Sequence, residues 1–91
     1  RIMLSHVPDG KYKVLIDYTT FPDGADFQVW QRQKQLSDWI SAKTAEREEK
    51  NRLHVGDIDL TQQTNSITFR VRKNGGTSKF GLRLITLERV N

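Results

Sequence analysis

From Lys11 to Tyr18 the chain alternates: Tyr12, Val14, Ile16 and Tyr18 take one parity, and Lys11, Lys13, Leu15 and Asp17 take the other. A period of two in β-branched and aromatic residues predicts a half-buried strand over 11–19. Two identical turn signals bound it, Pro8-Asp9-Gly10 and Pro22-Asp23-Gly24. Proline presets a turn dihedral, aspartate caps locally and glycine accepts positive φ. The C-terminal third repeats the pattern. Ile67, Phe69 and Val71 oppose Thr68, Arg70 and Arg72, and Asn74-Gly75-Gly76 then signals a reversal. Phe80, Leu82 and Leu84 alternate against Gly81 and Arg83, but at Leu84-Ile85 the parity flips, and Ile85 and Leu87 carry the apolar set onward. That flip predicts a bulge near 84–86, or a strand buried on both faces. "LHVGDIDL" behaves likewise, with Leu53 and Val55 before the flip at Gly56, and Ile58 and Leu60 after it. Glycine at a parity break suits a bulge or tight bend. With further strands expected at 53–60 and 2–7, the chain reads as β-rich, and its turn spacing suits a sandwich or small barrel.

The stretch "DFQVWQRQKQLSDWIS", residues 26 to 41, is ambiguous. No Gly or Pro occurs between Ala25 and Val55, and its second half runs into "SAKTAEREEKNR", rich in helix formers. Val29, Leu36 and Ile40 share a rough helical stripe, interrupted by Gln33. Read as strands, Phe27, Val29 and Gln31 face one way and Trp30 the other; Leu36 and Ile40 share a face of a second short strand, with Trp39 opposite. Local propensity favours the helix slightly.

Size and charge narrow the picture. Ninety-one residues make one domain, 1–91. An apolar fraction of 35% suits a small folded core rather than a disordered tail. No apolar run approaches the ~18 residues of a membrane span. The chain opens on Arg1, which fits a piece of a longer protein, so the lack of a signal peptide says little about compartment. There is no cysteine, which excludes disulfides and thiolate metal sites. The net charge of +4 brings nucleic acid to mind, but acidic residues are mixed with the basic ones throughout, as on a solvated surface.

In order, the frame is "GKYKVLIDYTTFPDGADFQVWQ", "LSDWI", "LHVGDIDLTQQTNSITFRVRKNGG" and "FGLRLITLERV". It resembles the β-sandwich accessory domains of secreted bacterial carbohydrate-active enzymes, of the galactose-binding-like or family 6 and 35 carbohydrate-binding-module type. The likeness covers residues 10 to 91 and lies in strand alternation and turns. It implies an all-β fold, a jelly-roll-like antiparallel β-sandwich, in which 26–32 and 35–40 are a strand pair. It also implies a non-catalytic domain, extracellular or in the cell envelope, attached to a catalytic domain of the parent chain and binding a polysaccharide or oligosaccharide. The chain lacks the acidic N-terminal segment with which many such modules hold calcium. Residues 41–52 are more charged than a usual connection and read as a short helix near 41–50 or an exposed loop.

Sugar recognition needs an aromatic face against the apolar side of a pyranose, with polar donors beside it. Trp30 and Trp39 are candidates by type, each opposite its strand's aliphatic set; the competing reading makes both of them core packing. Tyr18 and Phe21 flank the second Pro-Asp-Gly turn, at a rim where the related modules hold sugars, although Phe21 also suits a plug for the core's end. Asn74 lies where such modules place a ligand-contacting asparagine, and equally suits a turn. Asp57 and Asp59 share a strand face but are too few for a calcium cage. His6 and His54 have no third ligand for zinc. No nucleophile elbow or phosphate loop is present, so neither catalysis nor a cofactor has a motif behind it. A nucleic-acid face would use Arg70, Arg72 and Arg83 on adjacent strands, with Lys73 and Lys79 near and Trp30 to stack a base. A pure packing domain would instead bury both tryptophans and expose an apolar patch to its neighbour.

Overall fold

The computed structural model describes residues 2–4, 6–73 and 79–90. Among them are eight strands and no helix: β1 (Ile2–Met3), β2 (Gly10–Thr20), β3 (Asp26–Gln31), β4 (Lys34–Gln35), β5 (Ile40–Ser41), β6 (Glu48–Leu60), β7 (Ser66–Arg72) and β8 (Gly81–Arg89). All strand pairings are antiparallel. One sheet runs β1-β7-β3-β4, with β5 also on β3; the other runs β6-β2-β8. Their inner faces pack into one core, a small β-sandwich. The strand pairings carry the sandwich but not the finer jelly-roll pattern.

β2 is the central strand of its sheet, and its alternation is the predicted one. Tyr12, Val14, Ile16 and Tyr18 are buried at 5%, 0%, 0% and 6% exposure, facing the other sheet. Outward, Lys11 and Lys13 stand opposite Asp59 and Asp57 of β6, and Lys13 also opposite Glu88 of β8. Opposite charges facing each other across strands are favourable, and Asp57 Oδ1 also lies 2.8 Å from His54 Nε2.

The bulges fall close to the parity breaks. Val14 pairs Gly56 and Leu15 pairs His54, so Val55 is the extra residue, beside the predicted Gly56. A Cβ on Gly56 would sit 2.9 Å from Leu36 Cβ, which explains why this position is glycine. On β8, Asp17 pairs Leu84 and Tyr18 pairs Leu82, leaving Arg83 as the extra residue, one position before the expected 84–86. The extra residue lets Leu82, Ile85 and Leu87 all pack against the core while Leu84 stays 54% exposed.

Two expectations are corrected. The segment 41–52 holds no helix: after Ser41 it bends and enters β6, where Glu48, Glu49 and Lys50 pair with Thr20, Thr19 and Tyr18. "SAKTAEREEKNR" has no apolar stripe to bury, and an isolated helix of that length is marginal, whereas pairing with β2 satisfies its backbone. A second bulge follows at Arg52 (φ 54°), whose N–H is taken by Asp17 Oδ1 at 2.8 Å. Secondly, β7 and β8 do not pair with each other but lie in different sheets. The intervening Asn74-Gly75-Gly76 signal falls outside the described residues.

Aromatic rings link the two layers. Phe27 of β3 is fully buried, stacks on Phe80 (centroids 4.5 Å apart, planes at 25°) and meets Tyr18 of β2 edge-on at 5.1 Å. Burial pushes the Tyr18 phenol above its ordinary value. The folded chain therefore keeps this proton at a pH where the unfolded chain has lost it. Stability from this group is whole below the unfolded value of about 10 and is lost as pH rises through the higher folded value. Urea midpoints should fall above about pH 10, and Tyr18→Phe should flatten that fall; an unchanged slope in the variant would show that another group is responsible.

Candidate functional site

The outer face of the five-stranded sheet carries the site. On β3, even positions point away from the core, so Asp26, Gln28 and Trp30 share this face while Phe27 and Val29 are fully buried beneath. β7 pairs alongside, with Trp30 opposite Thr68, Gln28 opposite Arg70 and Asp26 opposite Arg72.

Trp39 reaches the same face through a local irregularity. Gln35 pairs with Trp30 and Ile40 with Phe27, so five steps along the second strand match three along β3. The surplus is absorbed at Leu36 and Ser37, whose N–H groups both donate to Val29 O, at 2.8 and 3.3 Å; the Val29 N–H donates back to Ser37 Oγ at 3.1 Å. Ile40 then faces inward and Trp39, one residue earlier, outward. The strand reading of 26–41 thus holds, but in two short pieces, β4 and β5, rather than one strand over 35–40.

Two arginine–tryptophan stacks result. The Arg70 guanidinium lies 4.1 Å from the Trp30 ring centroid, and that of Arg72 lies 4.2 Å from Trp39. Each stack contributes on the order of 0.5–1 kcal/mol where exposed. Trp30 Nε1 donates to Gln28 Oε1 at 2.6 Å, which fixes the indole and satisfies an amide only 6% exposed. Arg72 Nε donates to Asp26 Oδ2 at 3.1 Å. Both tryptophans are half-buried, and Arg70 and Arg72 are exposed. The result is an ordered plate of two indoles and two guanidiniums. It offers apolar ring surface and N–H donors, and no nucleophile or acid–base pair.

The other sequence candidates lie elsewhere. Tyr18 belongs to the core, 6% exposed against Phe27, and is not presented to a ligand. Phe21 is partly exposed just after β2, under Lys79 Nζ at 4.2 Å. Asn74 lies outside the described residues. Arg83 does not join Arg70 and Arg72; from the other sheet it donates to Lys50 O at 3.0 Å and Asn51 Oδ1 at 2.7 Å. Sequence reasoning missed Gln28 and Asp26, whose only signal was their parity with Trp30. Among the described residues no group of three His, Asp or Glu is placed to hold a metal ion, and no helix is long and apolar enough to cross a membrane. A separate apolar groove of about 460 Å³ opens between β1 and β8, lined by Ile2, Met3, Leu4, Val7, Ile85 and Leu87 among others.

No curated protein and no solved structure matches the chain. One family model does, over residues 1–90, described as a domain of unknown function, DUF8441. The chain, matched over nearly its whole length, belongs to the DUF8441 family.

Proposed function

We propose that this domain is a non-catalytic carbohydrate-binding module of a secreted glycan-degrading protein, and that the tryptophan–arginine plate is its ligand face. The observation that carries the reading is the placement of Trp30 and Trp39 on one outer face, only partly buried and among polar neighbours. A domain whose tryptophans only filled its core would have buried both. The indole surface left uncovered takes the apolar C–H side of a pyranose, while the guanidiniums stacked on the rings donate from their rims to hydroxyls. The module would hold an attached enzyme near its polysaccharide; the resemblance in strand and turn pattern supports the same role.

Tryptophan fluorescence titrated with a panel of polysaccharides tests this directly. At least one glycan should quench or blue-shift the emission. Trp30→Ala and Trp39→Ala should each weaken its binding about twofold to tenfold, the equivalent of ~0.5–1.5 kcal/mol for an aromatic contact. Emission unmoved by every glycan would overturn the reading.

A second reading, a buttress packed against a catalytic domain, draws on another surface. The groove between β1 and β8 is apolar, and Met3 beside it is 49% exposed. Burial of such a groove by a neighbouring domain is favourable, and it leaves the plate free for a ligand.

A further inference from the structure

We infer that the glycan carries anionic groups, carboxylate or sulfate, and that Arg70 receives them from its seat on Trp30; this rests on the carbohydrate-binding reading above. The charges of the plate do not balance. Arg72 is answered by Asp26, the residue opposite it on β3, through the 3.1 Å hydrogen bond. The equivalent position opposite Arg70 holds Gln28, an amide, and its oxygen is already taken by Trp30 Nε1. Two cations against one acid leave one positive charge, on an exposed side chain whose contact among the described residues is the indole ring.

Strand cations of the other sheet are answered differently. On the outer face of the three-stranded sheet, Lys11 and Lys13 stand opposite Asp59 and Asp57, and Arg52 pairs with Glu88 at 3.0 Å. There Lys11, Lys13 and Arg52 face acids, and Arg83 and Arg89 donate to protein oxygens; among the described residues Arg70 has neither an acid nor an oxygen acceptor, only the indole.

The chemistry then selects the ligand. A guanidinium stacked over an aromatic face keeps the N–H donors of its rim available, in a planar fork suited to two oxygens of one anionic group. A neutral hydroxyl that displaces water from an unpaired guanidinium gains little, since it offers the charge no more than water did. A carboxylate or sulfate compensates the charge as well as the hydrogen bonds. Arg72, two residues along the same strand face and about 7 Å away, lies within reach of the same polymer and offers hydroxyl contacts, its charge being balanced by Asp26.

The test is affinity electrophoresis of the folded domain through gels containing polygalacturonate, dextran sulfate or neutral dextran, with a single-stranded oligonucleotide as a fourth ligand. The two acidic polymers separate carboxylate from sulfate recognition. At least one should bind tenfold or more tighter than neutral dextran, and the advantage should shrink as salt rises. Arg70→Gln should abolish most of that preference and Arg70→Lys should restore part of it. Lys50→Gln, which removes the same charge from β6 in the other sheet, should leave the preference intact.

Several results overturn the inference. Equal loss in Arg70→Gln and Lys50→Gln would reduce the effect to overall charge. Neutral glycans bound as well as acidic ones, with no effect of Arg70→Gln, would remove the anionic preference and leave the carbohydrate-binding reading standing. Tighter binding of the oligonucleotide than of either acidic polymer would replace a glycan with nucleic acid. Binding of no glycan, acidic or neutral, would remove the underlying reading as well.

Discussion

Replacing Phe27 with alanine is expected to lower the free energy of unfolding by about 3–5 kcal/mol, the range for emptying a fully buried aromatic site. Phe27 has no exposed surface and joins the two layers: its ring stacks on Phe80 and meets Tyr18 edge-on from the opposite sheet. Phe80 in turn contacts Phe69 of β7 at 5.9 Å, so one truncation weakens contacts reaching β2, β3 and β7. Alanine would leave a hollow lined by rings, and a sandwich hydrogen-bonded along both sheets has limited freedom to collapse into it. A domain of this size has a total stability of roughly 5–14 kcal/mol, at ~0.05–0.15 kcal/mol per residue. The loss is therefore a large share of the whole. Urea unfolding followed by tryptophan emission measures it, and a loss under about 1 kcal/mol would mean that Phe27 does not tie the two layers together.

Gly24→Ala is the second change with a large expected effect, and its cause is steric. A Cβ at this position would lie 1.9 Å from Ala42 O and 2.5 Å from Ala42 C, both backbone atoms. The two segments cannot part without cost. The Phe21 N–H donates to Ala42 O at 3.0 Å, the Ala42 N–H to Ala25 O at 2.8 Å, and the Thr44 N–H to Phe21 O at 3.0 Å. Forcing in a methyl group strains or breaks this lacing, at about 1–3 kcal/mol for overpacking and ~1 kcal/mol for each hydrogen bond lost. A loss of about 2–4 kcal/mol is expected on those terms, read as a lower urea midpoint with the slope of the transition unchanged. An alanine variant as stable as the parent would show that the loop and the segment after β5 are not locked together.

Gly24 also shows how one sequence signal can cover two physical causes. Pro8-Asp9-Gly10 and Pro22-Asp23-Gly24 are the same tripeptide. The second closes a turn, with the Gly24 N–H donating to Phe21 O at 3.0 Å, and its glycine admits the Ala42 backbone. In the first, Gly10 already begins β2, paired with Leu60, and its nearest neighbour is the Arg89 side chain, which can move. At the first copy the chain only bends at Asp9, whereas the turn of the second copy was legible. Close approach was not, because the approaching backbone lies 18 positions further along the chain.

The candidate face was half legible in the same way. The parity of Trp30 against Phe27 and Val29, and of Trp39 against Ile40, was readable from neighbours in sequence. That both indoles share a face with Arg70 and Arg72 depended on β7 lying beside β3, and on the surplus at Leu36 and Ser37. Tyr18 flanks a loop in sequence, yet its parity with Val14 and Ile16 carries it into the core; its position along the chain suggested a rim, and its strand face decided otherwise.

What the sequence determined by itself is local: the alternation of β2 and β7, the Val55–Gly56 bulge, and the outward parity of the two tryptophans. Each follows from the two-residue period of a strand, which a residue shares with its immediate neighbours. Only the tertiary structure decided which strands lie side by side. It separated β7 from β8, so that Arg83 sits apart from Arg70 and Arg72, and it drew helix-forming residues 48–52 into β6 against β2. The physical reason is that a strand's hydrogen bonds are satisfied by another segment, 28 to 77 residues distant in the pairings of β2 with β6 and β8 and of β3 with β7. The choice among such segments is made by burying one common core, and no window of local sequence contains that information.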